Sequence, residues 1–95
     1  MFSERFEWDD EKARLNPGRH DGVTFEDATH AFDDLFAIGR EDRREAYSEQ
    51  RFLQIGMSGN RILVVAYAMR GNCIRIISAR KAEAFERRWY HEDER

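Results

Sequence analysis

The sequence predicts an α+β fold: two N-terminal helices, an antiparallel sheet of about four strands, and a C-terminal helix. Three observations lead there. Two early segments carry helix-opening signatures, a capping residue followed by acids. The middle of the chain holds strand-like runs joined by short glycine turns, the spacing of hairpins and hence of antiparallel pairing. The last third closes on a stripe of Ala82, Phe85 and Trp89 at helical spacing.

In order, Phe6-Glu7-Trp8 reads as a short opening strand. Asp9 caps a helix running from Asp10 towards His20, with Pro17-Gly18 expected to break or bend its end. Asp21-Gly22 is a turn. Thr24 caps the second helix, with Asp27 at the capping-box position and Val23 and Ala28 at staple positions. Phe25, Ala28 and Phe32 form its buried stripe. Leu35–Ile38 reads as a short strand, and the charged run Arg40–Glu45 as an exposed loop. Three strands follow: Glu49–Ile55, Arg61–Met69 and Cys73–Ser78. Ile62–Tyr67 is apolar on both faces and marks the central strand. The closing helix is expected over Ala79–Tyr90, with Glu83 and Arg87 as a supporting pair and His91–Arg95 fraying.

Ninety-five residues form one domain, 1–95, able to hold a modest core without metal or disulfide. The lone Cys73 fits a reducing compartment. No apolar run reaches membrane-spanning length, and Met1–Lys12 lacks a signal-peptide pattern. A cytoplasmic home is expected.

Charge is distributed unevenly. Residues 51–81 hold five arginines and Lys81 but no acid, so that stretch is +6 within a chain of net charge −3. Arginine outnumbers lysine fourteen to two. Guanidinium groups bind phosphate bidentately, so a polyanion-facing surface is one reading. The competing reading is a solvated face, or cations paired with acids elsewhere. Ser78-Ala79-Arg80-Lys81 sharpens the question. If a helix opens there, two cations sit in its first turn against the helix dipole, at a cost of about 0.3–1 kcal/mol each. Free N–H groups at such an end favour an anion.

Metal binding has little support, because His20, His30 and His91 are scattered and Cys73 has no ligand partner at suitable spacing. No phosphate loop or nucleophile elbow is present. Glu49 and Arg51 are two apart and would share a strand face, a proton acceptor beside a phosphate clamp or merely a surface ion pair. Strict alternation puts Arg75 and Ile77 on one face of the last strand, and Ile74, Ile76 and Ser78 on the other.

The chain resembles the BrnT toxins. Phe6-Glu7-Trp8-Asp9 with Lys12-Ala13, Asn16 and His20 matches the family's opening. Val23–Ala28, Phe32-Asp33-Asp34 and Tyr47–Arg51 with Ile55-Gly56 continue the match. Arg75–Ala82, then Glu86-Arg87-Arg88 and Tyr90, complete it. The string Arg75-Ile-Ile-Ser-Ala-Arg-Lys-Ala82 is the most specific piece. The chain departs from the family pattern at Arg19, where lysine is common, at Pro17-Gly18, and at Ser48, where glycine is usual.

The resemblance implies a compact RelE-like fold and a type II toxin that cleaves RNA without a metal or other cofactor, arresting translation. It implies a small ribbon-helix-helix antitoxin, BrnA-like, in a 2:2 complex that reaches DNA only through the antitoxin. No membrane partner is implied. Carried over by motif, the catalytic candidates are His20, Glu49, Arg51 and Arg80. The RNA phosphate-binding candidates are Arg19, Arg75, Ser78 and Lys81. Either Glu49 or His20 would accept the 2′-hydroxyl proton. The alternative is a non-catalytic nucleic-acid- or protein-binding module of the same fold.

Overall fold

Two hydrophobic layers form on opposite faces of one sheet. The computed structural model describes residues 5–46 and 48–93; Tyr47, Glu94 and Arg95 lie outside the described residues, as do Met1–Glu4. The elements are β1 (Phe6–Trp8), α1 (Asp10–Arg19), α2 (Phe25–His30), β2 (Ile38–Asp42), β3 (Arg51–Ser58), β4 (Arg61–Arg70), β5 (Cys73–Lys81) and α3 (Ala84–Asp93). Strand order is β1-β5-β4-β3-β2. The last four strands in the chain pair antiparallel, while β1 runs parallel to β5. The sheet is therefore five-stranded and mixed, not a wholly antiparallel sheet of about four. Hairpin spacing could not reveal the β1–β5 pair, because almost the whole chain separates the two strands.

The helix-opening signals act as expected. Asp9 accepts a hydrogen bond from the Lys12 N–H. Thr24 and Asp27 complete a capping box, at 2.9 and 3.0 Å. Pro17 and Gly18 sit within the last turn of α1 rather than breaking it. Gly59-Asn60 and Gly71-Asn72 make two-residue hairpin loops, and both glycines take positive φ.

Two elements differ from the sequence expectation. β2 occupies Ile38–Asp42, running from the end of the expected strand into the charged run, and Leu35 is 95% exposed. Charges are tolerated there because β2 is an edge strand, where charge discourages further pairing. β5 continues through Lys81, so α3 opens only at Ala84. Ala, Arg and Lys are good helix formers, but Ala79, Arg80 and Lys81 pair with Val65, Val64 and Leu63. Cross-strand pairing overrides local propensity here. Arg80 and Lys81 are strand residues, and the helix-dipole argument for an anion site does not apply to them. α3 continues through His91–Asp93.

The β4–β5 ladder slips once. Tyr67 pairs with Ile76, and Ala66 with Ser78, leaving Ile77 as an extra residue. Such a bulge reverses which face later side chains take. Ile74, Ile76 and Ala79 therefore all join the layer under α1 and α2, with Phe6, Val23, Phe25, Leu63 and Val65. Phe32 bridges Phe6 and Tyr67 in that layer, with ring centroids at 5.4 and 5.0 Å. The opposite face carries Ile55, Val64 and Ala82 beneath Tyr90 and Trp89 of α3. Phe85, expected to be buried, is 41% exposed because α3 starts five residues later than expected and presents another stripe.

β1 pairs only with Ile74–Ile76, so beyond it the outer edge of β5 lacks a strand partner. The buried Asn16 side chain fills that gap. Its amide donates to Ala79 O and Val23 O, both at 2.8 Å, and its oxygen accepts from the Ala79 N–H at 3.4 Å. A side-chain amide thus replaces a backbone peptide. Asn16→Ala would leave buried polar groups of Ala79 and Val23 without this partner. It should destabilise the fold by about 2–4 kcal/mol, read as a lower midpoint in urea with an unchanged slope.

Candidate functional site

The strand registers define three rows across the face beneath α3. Ile38, Ile55, Val64 and Arg80 form one. Arg40, Leu53, Ala66 and Ser78 form the next. Asp42 pairs with Arg51, and Arg75 pairs with Ala68 and with Glu7. Continuing the β3–β4 register by one residue sets Arg51 across from Ala68, giving the third row. α3 covers the first row through Tyr90 and Trp89. The third row's residues do not belong to that apolar cluster. Its centre is a small buried side chain, Ala68, flanked by two arginines on strands about 10 Å apart.

The Ile77 bulge is what makes Arg75, Ser78 and Arg80 co-facial. Without it Ser78 and Arg80 would point into the layer under α1 and α2. Alternation beyond the bulge puts Lys81 on the opposite face from Arg80. Lys81 instead borders a surface cavity with Asn60, Arg61, Arg87 and His91. Arg51, Arg75, Ser78 and Arg80 thus share a face, and Lys81 does not join them.

Glu49 lies in the connection before β3, not on the strand, and is exposed. It still borders the same 350 Å³ cavity as Arg51, with Glu41, Glu45, Ser48 and Gln50. His20 lies elsewhere. It caps α1 with its N–H on Asn16 O, and Asn16 is anchored at the outer edge of β5. Glu49 follows β2, at the other edge. The structure does not bring His20 and Glu49 together. Arg19 is exposed in the last turn of α1, on the His20 side.

Arg80 is engaged. Its guanidinium donates to both Glu86 carboxylate oxygens at 2.8 Å. Glu86 also accepts the Glu83 N–H at 2.8 Å, so one carboxylate closes the start of α3 and ties it to β5. Glu86 is only 3% exposed. Burial alone would raise its pKa, but the Arg80 hydrogen bonds and the Glu83 N–H outweigh that and hold it below the ordinary value. The reciprocal hydrogen bonds raise the Arg80 pKa against its own burial. α3 is tied down at its other end by Tyr90, whose hydroxyl donates to Asp34 at 2.6 Å.

The acid-free stretch is met by acids from outside it. Arg61 pairs with Asp27 at 3.2 Å, and Glu7 serves both Arg70 and Arg75 at 3.3 and 3.5 Å. With Arg80 on Glu86, at least four of its six cations have carboxylate partners among the described residues. Much of the +6 is therefore internal pairing, and counting charge overstates the surface field. Sequence reasoning missed Asn16, Glu86 and Asp34 as structural ties. Glu86 stands three residues after Glu83, a capping-box spacing that a helix start at Ser78 concealed.

No three His, Cys, Asp or Glu side chains gather as metal ligands among the described residues. No helix among them is long and apolar enough to cross a membrane. A family model for the ribonuclease toxin BrnT of type II toxin–antitoxin systems matches residues 8–86, most of the chain. The chain belongs to the BrnT family. No curated protein matches it. Membership in BrnT makes it the toxin half of such a system, with an antitoxin as counterpart and ribonuclease activity as the family's chemistry. The matched span reaches the Glu86 tie as well as the arginine face.

The Glu86 arrangement has a pH consequence. A depressed folded-state pKa stabilises the protein above the unfolded value and is lost as pH falls through the folded one. The loss begins near the ordinary glutamate value of 4.5 and continues below it. Glu86→Gln should lower stability at pH 7 by about 2–4 kcal/mol. It should also flatten the acid limb below pH 4.5, measured by urea midpoints across pH.

Proposed function

We propose that this BrnT-family protein is an endoribonuclease whose reaction takes place on the α3 side of the sheet, around Arg51, Arg75 and Ser78. The observation that carries the reading is the co-facial set Arg51, Arg75 and Ser78, with Glu49 on its rim, in a chain of a ribonuclease toxin family. A phosphodiester lying between Arg51 and Arg75 would meet two planar cations from opposite sides. The Ser78 hydroxyl lies one row away.

The reaction can be written with these residues and solvent. The RNA 2′-oxygen attacks the adjacent phosphorus while its proton passes to Glu49. The P–O5′ bond breaks, leaving a 2′,3′-cyclic phosphate and a 5′-hydroxyl that takes its proton from solvent. Arg51 and Arg75 stabilise the charge gathering on the non-bridging oxygens. The separation of His20 from this face favours Glu49 as the base. Arg80 acts mainly by holding α3, with a part-exposed guanidinium at the site's border.

The role in the cell follows from the same reading. Cleavage of RNA in the cytoplasm would stop translation. A BrnA-like ribbon-helix-helix antitoxin, two copies with two toxins, would neutralise the enzyme and carry the pair to DNA. The alternative module binds RNA without cutting it.

Purified protein should cleave RNA in EDTA. Arg51→Ala and Arg75→Ala should each lower kcat by about 10²–10³, with thermal unfolding run in parallel to show that the fold persists. His20→Ala and Lys81→Ala should stay within a few-fold of the parent. Intact RNA with the parent protein, but salt-dependent RNA binding, would instead support the non-catalytic module.

A further inference from the structure

We propose that Phe85, with Arg40 and Trp89 beside it, forms a nucleobase-stacking subsite next to the phosphate-binding rows; this rests on the ribonuclease reading and names how the site takes single-stranded RNA. The Phe85 ring is exposed at the start of α3 and meets Trp89 edge-on, with centroids at 5.0 Å and planes at 89°. The Arg40 guanidinium lies over the Trp89 ring at 3.9 Å. Together with Leu53 and Arg80 these groups border a 260 Å³ surface cavity between β2 and α3.

The charge of this cavity narrows its occupant. Arg43 pairs with Glu41, Arg44 with Asp42, and Arg80 with Glu86. Each cation brought by those arginines is matched by a carboxylate. Arg40 remains, and its planar group is spent on an aromatic face. An acidic peptide or a bare phosphate would find little net field. What the cavity offers instead is flat π surface from a ring and a guanidinium, which fits the face of a base and is indifferent to its identity.

Position supplies the second argument. Arg40 and Leu53 belong to the row between Arg80 and Arg51. Leu53 is two residues along β3 from Arg51, about 6.6 Å from Cα to Cα. A chain whose phosphate lies between Arg51 and Arg75 therefore has the cavity within reach of a neighbouring base. Tyr67, the aromatic of the central strand, cannot serve, because it is packed between Phe32 and Phe52 on the far face.

The test uses a 2′-O-methyl oligoribonucleotide, which binds but cannot be cut, titrated by fluorescence anisotropy at several salt concentrations. Phe85→Ala should weaken binding about tenfold or more while leaving the salt slope unchanged, because no phosphate contact is lost. Phe85→Trp should restore affinity. Arg51→Ala should instead reduce the slope by about 1. On cleavable RNA, Phe85→Ala should raise KM and leave kcat nearly unchanged. Parental affinity in Phe85→Ala, a reduced salt slope in that variant, or no binding by the parent chain would each overturn the subsite. If Phe85→Ala binds RNA normally but fails to bind the antitoxin, the patch is a protein interface and the proposal is wrong. If cleavage by the parent persists in any of these cases, the ribonuclease reading survives; if the parent neither binds nor cleaves, both fail.

Discussion

The extra residue Ile77 in β5 is the constraint on which the site depends. It reverses the facing of the strand's second half. Ala79 is turned inward, where it is buried in the layer under α1 and α2 and its backbone is read by Asn16. Arg80 is turned outward, where Glu86 can hold it. Ser78 joins Arg75 on one face. A regular strand over Cys73–Lys81 would push an arginine into an apolar layer and leave the start of α3 without its tie. One residue of slippage thus decides both how the helices dock and which cations lie on the α3 side of the sheet.

The same feature separates two jobs within one short motif. Arg75–Ala82 is the most specific part of the likeness to BrnT, and its side chains do not act alike. Arg75 and Ser78 lie beside Ala68 and Ala66 on the α3 side of the sheet. Arg80 is chiefly a brace, paired in two hydrogen bonds with a carboxylate that is almost wholly buried. Removing one member of such a pair exposes the other to the full cost of desolvation. Loss of activity in an Arg80 variant would therefore report on α3 before it reported on chemistry.

Much of this was legible from residues alone, and the failures have physical causes. Both N-terminal caps, the central strand and the Gly71-Asn72 hairpin follow from local rules and stand in the structure. Glu49 and Arg51 do meet at one cavity, although Glu49 is not on the strand. The strand expected at Leu35–Ile38 lies later, at Ile38–Asp42, because an edge strand tolerates charges such as Arg40, Glu41 and Asp42. The parallel β1–β5 pair was hidden because it is non-local. The bulge leaves no mark in composition, so alternation assigned Ser78 to the wrong partner face. The acid-free stretch suggested a bare cationic surface because linear charge counting cannot see Glu7, Asp27 and Glu86 fold back onto it.

The proposed function puts RNA on the α3 side of the sheet, between Arg51 and Arg75, and not on the side covered by α1 and α2. It is tested most directly by following backbone amide resonances while a non-cleavable oligoribonucleotide is added. The account expects the largest shifts at Ala66, Ala68, Arg75 and Ser78, with Arg51 and Glu49 at the rim. Shifts centred instead on Arg19, His20 and Lys81, with Ala66 and Ala68 unmoved, would contradict it.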